Sequence, residues 1–299
     1  MNTTKQKLSE LEAALERRIK GQPEALTSLT QAFRRRELNT VPHYGLRGCY
    51  IYAGPTGVGK TESVKTIAEV LFGPDAFLRI DCSEYKTIES FTALLGDPSG
   101  NRGRLGRAYD RNREGIWLWD EIEKAHPELV QLFLQMADAG RLTLACGETL
   151  DLSGLYLVLT TNLGSAEIIG REHLTFTSLE RHVVRCIEQF LSPELVGRFT
   201  RYAKPIVFRP LGRAVQAEIT EQGLNDLIRW HQQQGRQIKV HPDVLPFFIY
   251  RGFSARLGAR GLLGFIEKQI GNAVAENLMA GGTGSGTLVA AEDRLKLIE

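Results

Sequence analysis

The chain has 299 residues, 42% of them hydrophobic and 24% charged, proportions that support a buried core in one large domain or two smaller ones and exclude a peptide scaffold or a chain that is disordered for most of its length. Thirty-seven Lys and Arg against thirty-five Asp and Glu leave a net charge of +2, too balanced to coat nucleic acid or an acidic membrane by bulk charge. Cys49, Cys82, Cys146 and Cys186 form no CxxC pair and the six histidines no ligand spacing, so neither a disulfide framework nor a zinc site is expected.

The N-terminal stretch carries Leu8, Leu11 and Leu15 among charges, the spacing of an amphipathic helix over residues 5–18. It has no apolar leader and no run of 18 apolar residues follows, so export and membrane spanning are not expected and the cytoplasm is the expected location. Arg34-Arg35-Arg36 reads as the solvated end of a second amphipathic helix. Short apolar runs then alternate with helical stretches: Cys49–Ala53, Phe77–Ile80, Ile116–Trp119, Leu155–Thr160 and Ile206–Phe208 each read as a strand buried on both faces. The pattern predicts an α/β fold with a mostly parallel sheet in a large domain over residues 1–210. A smaller, mainly helical domain is expected over 211–299, with helices near 242–250 and 259–280 and short strands at Ile238–Val240, Leu288–Ala290 and Leu295–Ile298. Gly281–Gly286 follows a helix rather than a strand and reads as a turn, not a dinucleotide loop. Ser83-Glu84-Tyr85-Lys86 fits SxxK without the partner motifs of an acylating serine.

Chemistry concentrates at Gly54-Pro55-Thr56-Gly57-Val58-Gly59-Lys60-Thr61, which matches GxxxxGK[ST] between the first strand and a helix running to about Leu71. Glycines let backbone N–H groups converge on phosphate, and the helix N-terminus adds unpaired donors. Lys60 is placed to reach the β- and γ-phosphates of ATP, and the Thr61 hydroxyl to ligate Mg2+. The run Ile116–Trp119 ends in Asp120-Glu121; an acid at a strand's C-terminal edge can hold Mg2+, and its neighbour can orient and deprotonate a water.

Asp120-Glu121-Ile122-Glu123-Lys124-Ala125-His126-Pro127, Gly140-Arg141-Leu142-Thr143 and Thr161-Asn162-Leu163-Gly164-Ser165 resemble the ATPase modules of the Clp family of AAA+ protein unfoldases and disaggregases. The segments from Ile19 to Ala25, Ile80 to Tyr85, Ser192 to Leu195 and Leu257 to Leu262 extend that resemblance over nearly the whole chain. It implies an AAA+ P-loop core with a helical lid, ATP and Mg2+, and a homo-oligomer, a ring of six subunits, with nucleotide at the subunit boundaries. The function it implies is remodelling of a protein client or dedicated protein partner. Asn162 would then help position water, Arg260 would sense nucleotide, and Ile19 would contact adenine. Arg198 would be the finger reaching a neighbouring subunit, with Arg201 the alternative when counting back from Ile206.

The sequence departs from that family at Lys20, where an apolar residue is usual, and at Asn101 and Arg102, where the family has an aromatic-bearing pore loop. Asn and Arg cannot reproduce an aromatic grip on an unfolded chain. Arg102, Arg104, Arg107, Arg111 and Arg113 make residues 102–113 a candidate surface for an acidic tail or for nucleic acid, or else a solvated loop and helix face. The alternative functions are therefore an ATP-dependent nucleic-acid-handling ring, or a nucleotide-switched assembly module without threading. A peptidase partner is not expected: no hydrophobic docking tripeptide stands between Ser165 and Ser192.

Overall fold

Three apolar runs, Gly48–Ala53 (β1), Gly115–Asp120 (β3) and Leu155–Thr161 (β6), are buried along their whole length. That is the condition that produces near-continuous hydrophobic strands in the middle of a parallel sheet. Phe77–Asp81 (β2) and Ile206–Val207 (β7) flank them in the order β2-β3-β6-β1-β7, every pairing parallel. The computed structural model describes residues 2–42, 45–169, 174–252 and 258–298. Leu257, the first residue of the segment matched near Arg260, lies outside them, as do residues 170–173 of the stretch before Ser192. Two compact units are present, one of Met1–Pro55 with Gly59–Arg209 and one of Thr56–Val58 with Pro210–Glu299.

In the first unit, crossover helices cover the sheet. Helix Pro127–Ala139 starts with Pro at its first turn and stops at Gly140, whose φ of 60° suits a residue without Cβ. It sets Phe133 edge-on to Trp119, ring centroids 4.9 Å apart. The N-terminal helix, Asn2–Arg18, buries Leu8, Leu11 and Leu15. It packs on the helix Lys60–Leu71, where the Lys7 ammonium donates to the Leu71 carbonyl (2.7 Å) and Arg18 pairs with Glu69 (2.6 Å), and its Glu12 pairs with Arg34 of the helix Pro23–Glu37.

One local expectation is corrected and one element is new. Arg36, at the end of helix Pro23–Glu37, is buried rather than solvated, because its guanidinium donates to the carbonyls of Pro42, Leu46 and Arg47. Arg141–Thr143 (β4) and Thr149–Asp151 (β5) form an antiparallel hairpin that the apolar-run reading does not predict.

In the second unit, helices Arg213–Gln233, Val244–Arg251 and Gly258–Met279 share a core with a small sheet of Ile238–Val240 (β8), Gly286–Ala291 (β9) and Arg294–Ile298 (β10). Gly281–Ser285 is the turn between the last helix and β9. The Asn277 side chain ties it by accepting from the Gly284 N–H at 2.8 Å. Among the described residues no helix is long and apolar enough to cross a membrane.

Candidate active site

The site begins where β1 ends. Gly54, Gly57 and Gly59 take φ of 144°, 73° and 104°, which L side chains rarely adopt. A Cβ on Gly54 would lie 2.4 Å from the Phe208 carbonyl, and one on Gly59 would lie 3.1 Å from the Ile19 side chain. Ile19 is thereby placed, buried, against the last glycine of the loop. Lys60 opens the following helix and is 7% exposed; its ammonium donates to the Pro55 carbonyl at 2.7 Å and to Asn162 Oδ1 at 2.9 Å, and also bonds the Gly54 carbonyl.

Sheet order explains who meets Lys60. Strand β6 lies between β1 and β3, so the residues leaving its C-terminal end fall between the glycine loop and the acids that end β3. This is the region of an open α/β sheet where ligands bind. Asn162 occupies that gap: Oδ1 accepts from Lys60, and Nδ2 donates to Glu121 Oε1 at 3.3 Å and to Glu123 Oε1 at 3.0 Å. The Lys124 ammonium donates to Glu121 Oε2 at 2.5 Å, and that carboxylate holds Lys124 above its ordinary pKa.

Asp120 is 5% exposed and accepts from three sides. The Thr61 hydroxyl donates to Oδ2 (3.3 Å), the Thr160 hydroxyl to Oδ1, and Arg79 forks onto Oδ2 through Nε (2.9 Å) and Nη2 (2.7 Å). Thr160 also accepts from the Glu121 N–H at 3.1 Å, so one hydroxyl joins both acids. Glu121 itself sits at φ 59°, ψ 55°, a left-handed conformation uncommon outside glycine and asparagine. Neither Arg79, Thr160 nor Glu123 is singled out as a site residue by the sequence. Their signals are faint: a basic residue in β2, a hydroxyl at the end of an apolar strand, and a second acid two residues beyond the first.

Whether these groups suit MgATP follows from the donor set. The glycines leave a cradle that side chains would fill, and Thr61 beside Asp120 offers one hydroxyl and one carboxylate. That sparse set matches Mg2+, which keeps waters and takes its remaining ligands from phosphate. Among the described residues no cluster of three or more His, Cys, Asp or Glu forms an all-protein metal cage.

Three further candidates are carried by other elements. Arg198, on helix Pro193–Thr200, pairs with Asp138 (2.6 Å) and more distantly with Glu194 (3.7 Å). Arg201 caps that helix and is exposed. Arg260 lies exposed in the first turn of helix Gly258–Met279, in the second unit. In that unit the Ala259 N–H donates to the Gly57 carbonyl at 2.9 Å, and Thr56 and Val58 flank Gly57.

The arginine-rich segment is tied inward in part, at Arg102 and Arg104, while Arg107, Arg111 and Arg113 are exposed. Arg102 bridges Asp110 and Glu148, the latter at 2.6 Å and carried by the β4–β5 turn. Arg104 donates to the Arg79 carbonyl (2.7 Å) and the Tyr85 hydroxyl (3.2 Å), Arg107 reaches Asn101 (3.3 Å), and Arg113 lies over the Tyr109 ring. The loop before helix Gly103–Arg111 closes on itself, with the Asp97 N–H donating to the Asn101 carbonyl at 3.0 Å. A Cβ on Gly96 would lie 1.7 Å from that same carbonyl.

A parallel sheet of this order, a glycine loop opening a helix, paired acids at one strand end and an amide at the next define a P-loop ATPase of the AAA+ class. The chain belongs to that family: residues 47–202 match the AAA domain (Cdc48 subfamily) and residues 211–291 the C-terminal, D2-small domain of ClpB protein. It is a Clp-type AAA+ ATPase module. It is 33% identical over 298 residues to the probable chaperone protein ClpB 1 of Chlorobaculum tepidum, a match covering 95% of this chain and 67% of that protein. With the chaperone protein ClpB of Pseudomonas putida it shares 35% identity over 295 residues, 96% of this chain and 34% of that protein. A closed-state cryo-EM reconstruction of Hsp104 with ATPγS and FITC-casein has the same fold, with TM-score 0.86 and 27% identity over 100% of this chain and 52% of that one. The chain thus spans about two thirds of the first relative's length, a third of the second's and half of the Hsp104 chain.

Proposed function

We propose that the chain binds and hydrolyses MgATP and uses the cycle to remodel a protein partner as a subunit of a homo-oligomeric ring of six. Residues 1–210 form the large ATPase subdomain in this reading and residues 211–299 the lid. One observation carries it: the Asn162 amide is bonded to Lys60 on one side and to Glu121 on the other, so the phosphate loop and the acid pair address one point.

Gly54, Pro55, Thr56, Gly57, Val58 and Gly59 cradle the phosphates, and Lys60 neutralises charge on the β- and γ-groups. Thr61 and Asp120 hold Mg2+, which supplies charge stabilisation to the phosphates when bound. Glu121 orients the attacking water and takes its proton, and Asn162 fixes where that water sits. Ile19 packs against the base. Arg260 reports nucleotide state from the lid, and Arg198, exchanging Asp138 for phosphate, completes a neighbouring subunit's site. Arg102 and Arg104 are engaged within the chain while Arg107, Arg111 and Arg113 stay exposed, so the preference for a protein client over an oligonucleotide rests on the family relationship rather than on this segment.

The test is Glu121→Gln in the full chain. It is expected to bind ATP as the wild type does while turnover drops by about 10²–10⁴, the usual value of a general base. Loaded with ATP it should retain a polypeptide; retention of an oligonucleotide in a salt-sensitive manner would favour the nucleic-acid ring instead. Unchanged turnover would remove the assignment of Glu121.

A further inference from the structure

Glu123 lies in the short 3₁₀ turn Ile122–Lys124, two residues beyond Glu121. Its Oε1 accepts twice from one residue, from the Asn162 backbone N–H at 3.1 Å and from Asn162 Nδ2 at 3.0 Å. Its Oε2 is buried and has no hydrogen-bond partner. A side chain kept only for stability is poorly served by this arrangement, since a buried carboxylate oxygen without a donor costs free energy. The cost grows because the Glu121 carboxylate approaches the same amide nitrogen, so two like charges converge on a single NH2 group.

The arrangement does fix one thing. A carboxylate only accepts, so contact with Glu123 and Glu121 obliges the Asn162 NH2 to face them and turns Oδ1 toward the Lys60 ammonium. The backbone bond to the same Oε1 pins the peptide that carries the amide, so position and orientation are held together. We infer that Glu123 is a positioning residue: it clamps Asn162 in the one orientation that serves Lys60 and Glu121 simultaneously. The inference rests on the roles proposed for Asn162 and Glu121.

Four full-length variants test it, Glu123→Ala, Glu123→Gln, Asn162→Ala and the double Glu123→Ala/Asn162→Ala, each read for ATP affinity, KM and kcat. Glu123→Ala should lower kcat about 10- to 100-fold, the scale of a misplaced reacting group, with KM and ATP affinity within about twofold. Glu123→Gln keeps an acceptor oxygen for Asn162 and should stay within about threefold of wild type. The double variant should be no slower than Asn162→Ala alone, because the clamp has nothing left to hold. Where Glu123→Ala does not fold, Glu123→Asp withdraws the acceptor by one methylene with its charge intact and should show the same selective loss of kcat. Wild-type turnover in Glu123→Ala or Glu123→Asp, losses that multiply in the double variant, or a Glu123→Gln as slow as Glu123→Ala would each overturn the inference. Wild-type turnover in Asn162→Ala would instead remove the role of Asn162, and the clamp with it; a slow Asn162→Ala beside a fast Glu123→Ala removes the clamp alone.

Discussion

Two regions of the large unit use the same residue types to opposite ends. At the C-terminal edge of β1, β3 and β6, Lys60 and Thr61 from the helix start after the glycine loop, Asp120 and Glu121 from the end of β3 and Asn162 from the end of β6 bond across the gap between them. In the segment from Gly96 to Arg113, Arg102 is held between Asp110 and Glu148, and Arg104 donates to a carbonyl and a phenol. The first region gathers charge around a shared point. The second disperses it into pairs that fasten a loop, a helix and the β4–β5 hairpin together. The second region is also where the sequence departs from the pattern that the Clp resemblance implies, at Asn101 and Arg102, and there Arg102 serves as a tie.

The largest expected effect asks whether the first region is complete within one chain. Arg198→Ala should reduce turnover by about 10³–10⁵, the range of finger arginines, with ATP affinity retained; turnover equal to wild type would mean that one chain suffices. Thr160→Val probes how the two acids are joined. Removing the hydroxyl strands the Glu121 N–H and one Asp120 oxygen, so the denaturation free energy should fall by about 1–3 kcal/mol and turnover by about tenfold. A variant as stable as wild type would show that the bridge between the acids is idle. Arg102→Ala should change basal turnover less than twofold, since neither of its partners, Asp110 and Glu148, belongs to the first region. A large loss would dissolve the distinction between the regions.

The smallest effect belongs to the C-terminal unit. Burial, followed by the nearby Arg236, holds His231 below its ordinary pKa of 6.5. The folded state therefore binds fewer protons there than the unfolded one, so this contribution to stability is full above about pH 6.5 and declines as pH falls toward the folded value. Trp230, whose ring centroid lies 4.9 Å from that of His231, reports it. Urea midpoints followed by its emission should drop between pH 7 and pH 5, and His231→Gln should flatten that slope.

Legibility follows how locally a feature is written. Strands β1, β3 and β6 read from sequence because burial on both faces leaves unbroken apolar runs. Strands β4 and β5 do not: each has three residues with only the middle one buried. Lys60, Thr61, Asp120 and Glu121 are visible through short spacings. Thr160 reaches Asp120 only because β3 and β6 run parallel in the register Trp119 to Leu159, and Arg79 reaches it across the β2–β3 pairing. Arg36 reads as one of three solvated arginines because the carbonyls that bury it belong to the loop after its helix.

The left-handed backbone at Glu121 bears on how such a chain can decay. A glycine there would relax a conformation that costs a larger residue of order 1–3 kcal/mol, while discarding the proposed base. Copies that abandon hydrolysis by that route would gain thermal endurance from the very change that silences them, so durability would be a poor guide to which descendants still work.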